Sequence, residues 1–169
     1  LLYEAHDYPI HGREINRIIL MTYEWGYTYG PPMAVAPLNE VRRVLNYAVT
    51  AIPPEKILMG IPNYGYDWTL PFVRGTAARP LSNTGAVSLA WERNAAIQFD
   101  YTAQSPFFTY YDENRRQHVV WFEDARSIEA KLRLVNEYKL AGVSYWTLGR
   151  FFPQNWLILN SLYDIKKVL

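Results

Sequence analysis

The sequence predicts an α/β fold in which buried parallel strands are connected by helices. Short apolar runs without alternation are typical of strands that are covered on both faces. Segments of helical periodicity separate these runs, and strands that alternate with helices form parallel βα units. The apolar runs occupy residues 17–23, 56–62 and 142–148, and the helical segments occupy residues 38–51, 83–94, 125–140 and 153–169.

The remaining segments are predicted from turn residues and from alternation of period two. Three segments rich in Gly, Pro and polar side chains are predicted as loops, namely residues 1–16, 24–37 and 63–81. Three further segments alternate with period two, which is typical of strands, namely residues 97–101, 107–111 and 118–122. With a turn at residues 112–116, they predict a small antiparallel meander before the last parallel strand.

Three parallel strands cannot close a barrel, and a complete (β/α)8 barrel needs about 250 residues, whereas this chain has 169. The chain is therefore either a small open α/β sheet or part of a larger fold. Two long loops favour the larger fold, because barrel enzymes place their active sites beyond the carboxyl ends of the strands. Since the chain begins at Leu1 without Met, we also expect further sequence upstream.

Composition excludes several classes of function. The net charge is +1, which does not predict a nucleic-acid partner, and the chain has no Cys for disulfides or thiolate metal sites. The three His are scattered and no phosphate-binding glycine loop occurs, so neither a metal nor a cofactor is expected. No apolar run is long enough to predict a membrane span. Aromatic residues make up 16% of the chain, which suits either a tyrosine-rich core or a sugar-binding surface.

Polar and aromatic side chains stand where the predicted parallel strands end. Tyr can donate hydrogen bonds to a carbonyl, Glu can accept them from hydroxyls, and a Trp ring can form the floor of a pocket. On position alone, these residues also fit a solvated strand exit, a packed loop and a core Trp. The candidates are Met21, Tyr23, Glu24, Tyr64, Tyr66 and Trp146. The adjacent pair Glu123 and Asp124 is interpreted differently, with Asp124 or Ser127 capping the following helix.

Taken together, these segments resemble family 18 glycoside hydrolases, in particular the spore-germination type that acts on cortex peptidoglycan. The resemblance covers nearly the whole chain, and the meander resembles the α+β insertion of that family. Residues 19–24, 56–66 and 142–146 resemble the sixth, seventh and eighth strands of the TIM barrel. The resemblance implies a partial barrel over residues 1–80 and 123–169, with an insertion subdomain over residues 81–122.

The resemblance also implies a substrate-assisted, retaining mechanism on β-linked N-acetylglucosamine polymers. Tyr23 would hydrogen-bond the acetamido carbonyl and orient it for attack on the anomeric carbon. Glu24 would contact sugar hydroxyls or the catalytic acid, although many family members carry Asp at this position. Trp146 would form the floor of the site and Met21 would line it. Tyr64 and Tyr66 are carried over as substrate-binding residues.

The acid motif of the family, a series of Asp residues that ends in Glu, does not occur in these 169 residues. We expect it upstream, so that the whole protein is a glycosidase and residues 1–169 alone are inactive. The expected substrate is peptidoglycan or chitin, and the expected location is extracellular, in the cell wall or spore envelope. A carbohydrate-binding, lectin-like member of the same fold is the alternative, and an α/β domain without a sugar ligand is a third possibility.

The strand that would lie beside residues 18–22 is absent from the chain, so we predict an open strand edge that pairs with other copies. Residues 1–169 alone are expected to self-associate or to be helped by a partner segment, and size-exclusion chromatography over a range of concentrations would detect the self-association. A monomer at high concentration would contradict this prediction.

Overall fold

The computed structural model describes residues 6–165, which form an α/β fold with two sheets. The predicted segments at residues 1–5 and 166–169 lie outside the described residues. The helices are α1 (Tyr8–Glu14), α2 (Leu38–Ala51), α3 (Asn83–Glu92), α4 (Ala125–Tyr138) and α5 (Pro153–Leu162). The strands are β1 (Ile18–Leu20), β2 (Ile57–Pro62), β3 (Tyr64–Thr69), β4 (Arg79–Ser82), β5 (Gln98–Asp100), β6 (Ser105–Tyr111), β7 (Gln117–Trp121) and β8 (Gly142–Trp146).

The three predicted parallel strands form one sheet in the order β1-β2-β8. The central strand β2 is almost entirely buried, and its Ile57, Met59 and Ile61 lie in a core shared with α2 and α4. The prediction of burial on both faces is wrong for the outer strands, since Ile19 is 51% exposed and Trp146 is 57% exposed. Both side chains lie on the sheet face that α2 and α4 leave uncovered, and within residues 6–165 β1 pairs only with β2.

The second sheet is antiparallel, with the order β4-β3-β7-β6-β5. The predicted meander is confirmed as β5, β6 and β7. The loop predicted over residues 63–81 is wrong, because β3 and all but the last residue of β4 lie within it. Tyr64, Tyr66 and Trp68 alternate along this segment and share one face of β3. The Gly and polar residues between them led to the prediction of a loop. The opposite face of the sheet packs against α3.

The helix α1 corrects the loop predicted over residues 1–16. Asp7 caps it by accepting a hydrogen bond from the backbone N–H of Ile10. Pro9 and Gly12 suggested a loop, but Pro is well accommodated in the first turn of a helix. Gly12 is required for packing, because a Cβ atom there would lie 2.8 Å from the carbonyl oxygen of Ala51.

The other helices follow the prediction closely. The helix predicted over residues 38–51 is confirmed, and α4 begins with a capping box in which Asp124 and Ser127 bond each other's backbone N–H groups. The helix α5 ends at Leu162, earlier than the prediction.

An ion pair is buried where the antiparallel sheet meets α4. Glu123 follows β7 and is 0% exposed, and its Oε2 accepts a hydrogen bond of 2.8 Å from Nζ of Lys131 on α4. The backbone N–H of Glu123 donates to the side chain of Asn83 at the start of α3. Burial raises the pKa of the Glu123 carboxyl, and the Lys131 cation opposes this change.

We predict that Lys131→Met destabilises the protein by about 3–5 kcal/mol near neutral pH, because it leaves a buried carboxylate without a partner. Without Lys131 the pKa of Glu123 rises further in the folded variant. The variant is therefore most stable toward about pH 4, where Glu123 is protonated, and it loses that stability as the pH rises through the raised pKa. Urea unfolding of the whole protein at several pH values measures this effect.

The double variant Glu123→Gln/Lys131→Met is expected to lack that pH dependence. Arg133→Met is the matched control, since it removes a cation from an exposed ion pair with Glu129 on the same helix. Equal losses in the free energy of unfolding for Lys131→Met and Arg133→Met would contradict the assignment of a stabilising buried ion pair between Glu123 and Lys131.

Candidate active site

The six candidate residues line one cleft beyond the carboxyl ends of the parallel strands. Its volume is about 380 Å³, within the range of small-molecule sites. One wall is β3 of the antiparallel sheet, and the floor and the opposite wall come from the exits of β1 and β8. The lining residues are Met21, Tyr23, Glu24, Tyr64, Tyr66, Pro80, Trp146, Thr147 and Arg150.

Tyr23 is placed by contacts between the exit of β1 and β2. The hydroxyl of Thr22 donates a 2.8 Å hydrogen bond to the carbonyl of Gly60. The ring of Tyr23 then lies against Gly60, where a Cβ atom would approach Cε1 of the ring to 2.7 Å. Burial, and next the charge of Glu24, raise the pKa of Tyr23, so its hydroxyl stays protonated and able to donate.

Glu24 turns back toward the antiparallel sheet. Its backbone is in the left-handed region, with φ of 68°, which is uncommon for a residue other than Gly. Its Oε1 accepts hydrogen bonds from the hydroxyl of Tyr64 at 2.5 Å and of Tyr66 at 3.1 Å. The side chain is therefore exposed to the cleft but held by two donors, unlike a freely solvated residue at a strand exit.

Tyr64 and Tyr66 serve as fixed donors in the cleft wall. Burial is the largest cause that raises the pKa of each hydroxyl, and the hydrogen bond and charge of Glu24 raise it further. Their rings meet edge to face with centroids 5.6 Å apart, and both rings are buried. Because the pKa of each is raised, both hydroxyls are protonated at neutral pH and can donate.

Trp146 and Met21 offer apolar surface to the cleft rather than to the core. Trp146 is 57% exposed and Met21 is 71% exposed. Asn63 fixes the chain after Trp146, because its side-chain amide donates to the carbonyl of Thr147 at 2.7 Å and accepts from the N–H of Thr147 at 2.6 Å. The peptide bond between Trp146 and Thr147 is cis.

Sequence reasoning missed Pro80, Thr147 and Arg150 among the lining residues. Pro80 lies on β4, in a segment that was predicted as a loop. Arg150 follows the end of β8 by four residues, and the same rule of strand exits that selected the other candidates would have selected it.

The candidate residues carry no metal-binding arrangement. Within residues 6–165, no group of three or more His, Cys, Asp or Glu side chains is arranged to hold a metal ion. His118 has a structural partner, since its Nδ1 lies 2.9 Å from the buried carboxylate of Asp67. Among the helices that the structure describes, none combines the length and apolar character that crossing a bilayer requires.

Comparison with known proteins identifies the family of the chain. The model of the family "Glycosyl hydrolases family 18" matches residues 3–150. The chain is 55% identical to a "Cortical fragment-lytic enzyme" of Bacillus subtilis (strain 168), over 98% of this chain and 38% of that protein.

Two solved structures are similar over most of the chain. The Bacillus cereus spore cortex-lytic enzyme SleL gives a TM-score of 0.95 at 49% identity, over 97% of this chain and 38% of that one. A chitinase from Chromobacterium violaceum gives a TM-score of 0.85 at 32% identity, over 91% of this chain and 47% of that one. The chain thus spans about two fifths of the cortical enzymes that it matches.

We predict that Glu24→Gln lowers the pKa of Tyr64 toward, but not to, its usual value of about 10. The charge of Glu24 is removed, whereas burial, the largest cause, remains. Since a raised pKa favours the folded chain only while the group is protonated, its stabilisation is present below about pH 10 and lost as the pH rises through the raised pKa.

Nuclear magnetic resonance of isotope-labelled tyrosine, with Tyr64→Phe to assign the signal, compares the pH at which this hydroxyl begins to ionise in wild type and in Glu24→Gln. Tyr145 is the internal control, because burial raises its pKa to about 12 without any contribution from Glu24. A Tyr64 signal that titrates identically in wild type and Glu24→Gln would contradict the assigned hydrogen bond.

Proposed function

Because this chain belongs to the family 18 glycosyl hydrolases, we propose that the whole protein is a retaining glycosidase that cleaves β-linked N-acetylglucosamine polymers. The observation that carries the proposal is the cleft, in which a protonated Tyr23, a held Glu24 and an exposed Trp146 ring come together. Such a site combines an apolar face for a sugar ring with hydrogen-bonding groups at its edge.

The position of the chain in a complete barrel is part of the proposal. The parallel order β1-β2-β8 is consistent with strands 6–8 of a TIM barrel, with the cleft at their carboxyl ends. The barrel part would comprise residues 1–80 and 123–169, and the insertion residues 81–122. The antiparallel sheet also recruits β3 and part of β4 from the segment before residue 81.

The proposed mechanism uses the acetamido group of the substrate as the nucleophile. The hydroxyl of Tyr23 donates to the acetamido group and orients its carbonyl oxygen, which bonds to the anomeric carbon as the glycosidic oxygen departs. A general acid outside residues 1–169 protonates that departing oxygen. Positioning of this kind can supply a large part of a rate enhancement.

The remaining cleft residues bind the sugar in this proposal. Trp146 forms the floor beneath the ring and Met21 lines its side. Glu24 accepts from sugar hydroxyls or contacts the general acid, with Tyr64 and Tyr66 holding its carboxylate and extending the wall. These contacts require no cofactor.

Cortex peptidoglycan is the first proposed substrate and chitin the second. The names of the cortical enzymes support the first, and the likeness to the chitinase supports the second. A cortex substrate places the protein in the spore envelope or cell wall. The open edge of β1, described above, supports self-association when residues 1–169 are isolated.

Hydrolysis of cortex peptidoglycan and chitin oligomers by the whole protein, beside residues 1–169 alone, tests the proposal. We expect activity only in the whole protein, because general acid catalysis is worth about 10²–10⁴-fold. Tyr23→Phe in the whole protein is expected to lower kcat roughly 100-fold, with a smaller effect on KM. Tyr47→Phe is the control, since Tyr47 is exposed on α2 and does not line the cleft.

Binding without cleavage by both proteins would replace the glycosidase with the lectin-like alternative. Cleavage by residues 1–169 alone would mean that the general acid lies among them. Equal kcat values for Tyr23→Phe and Tyr47→Phe would remove the proposed role of Tyr23.

A further inference from the structure

Arg150 is a charged group of the cleft whose guanidinium bonds to none of residues 6–165. Its Cζ atom lies 5.6 Å from the centroid of the Tyr64 ring, so the charge stands beside the cleft wall. The same charge opposes the effect of burial on the pKa of Tyr66. Among the residues that the structure describes, none forms an ion pair or hydrogen bond with this guanidinium.

Glu24, the other charged residue that lines the cleft, does have hydrogen-bond partners within the protein. Its Oε1 already accepts hydrogen bonds from Tyr64 and Tyr66. One oxygen of this carboxylate is therefore already bonded to the protein, whereas none of the described residues bonds to the guanidinium of Arg150. An incoming ligand can therefore bond to this guanidinium without displacing a partner among the described residues.

The backbone that carries Arg150 is held in place at the exit of β8. The side-chain amide of Asn63 donates to the carbonyl of Thr147 at 2.7 Å and to that of Arg150 at 3.4 Å. Asn63, which follows the end of β2, thus bonds firmly to Thr147 and more weakly to the backbone of Arg150. The backbone that carries the guanidinium is therefore held by hydrogen bonds to Asn63.

We propose that Arg150 binds a carboxylate of the glycan, so that the cleft prefers N-acetylglucosamine polymers whose alternate sugars carry an acid over neutral ones. A guanidinium presents a planar pair of donors that matches a carboxylate in bidentate fashion. Chitin has no ionised group, whereas the muramic acid of peptidoglycan carries a lactyl carboxylate or a short peptide that ends in one. The inference rests on the proposed function and names the feature that selects its substrate.

The test compares kcat/KM of the whole protein on length-matched oligomers. The substrates are a chitin oligomer, a peptide-free peptidoglycan oligomer, its carboxyl methyl ester and a peptide-bearing oligomer. In Arg150→Gln, the preference for the free acid over its ester is expected to fall roughly 10- to 100-fold, as for loss of a hydrogen bond to a charged group. Arg150→Lys, which keeps the charge but not the fork, is expected to retain an intermediate preference.

Arg43→Gln is the matched control, since it removes the same charge from the exposed surface of α2. A change in preference confined to peptide-bearing oligomers would assign the contact to the peptide carboxylate, and a change with the peptide-free acid would assign it to the lactyl group. Either result supports the proposal. An equal loss on free acid, ester and chitin would overturn it and leave Arg150 as a support for Tyr64.

Calorimetric binding of the free acid and of the methyl ester separates this inference from the proposed function. A wild-type protein that cleaves no oligomer, yet binds the acid more tightly than the ester through Arg150, would refute hydrolysis and support the carboxylate contact. Equal affinity of wild type and Arg150→Gln for the acid would overturn the contact even if hydrolysis is observed.

Discussion

The junction between the two sheets depends on one residue. Asn63 alone separates the end of β2 at Pro62 from the start of β3 at Tyr64. Because a strand of the parallel sheet continues almost directly into the antiparallel sheet, the tyrosines of β3 stand over the strand exits and form a wall there. The same Asn63 bonds both sides of the Thr147 peptide group, so the exit of β8 is fixed to the junction as well. The cleft is therefore shaped by continuity of the backbone together with one amide side chain.

The sequence predicted the elements that local patterns determine, and it failed where an element depends on contacts distant in sequence. Unbroken apolar runs such as that of β2, and the helical spacing of α2, are local patterns that report burial directly. The segment from Tyr64 to Ser82 carries a weaker pattern, because Gly and polar residues are interspersed with its aromatic rings. Of its two strands, β3 pairs with β7, which is distant in sequence, and β4 pairs with β3. Tertiary contacts therefore overrode the local preference for a loop.

In the candidate site, the positions of the residues could be predicted from the sequence, but their bonding partners could not. The rule that barrel sites lie at strand exits predicted where Tyr23, Glu24 and Trp146 meet. It did not predict that Glu24 adopts a left-handed backbone and bonds two tyrosines across the cleft, since that geometry depends on the unforeseen strand β3. Because Oε1 of Glu24 is bonded to these two tyrosines, Arg150 is the charged residue of the cleft that bonds to no other side chain among the described residues.

The buried pair of Glu123 and Lys131 has a consequence for how the protein opens. Separating the antiparallel sheet from α4 would leave both charges in poorly solvated surroundings until water fills the gap. Partial separation of α4 from the antiparallel sheet is thus disfavoured relative to unfolding both of them in one step. Amide hydrogens of β7 and of α4 are accordingly expected to exchange with solvent as one cooperative unit. The antiparallel sheet, which carries the cleft wall on β3, then does not fluctuate independently of α4.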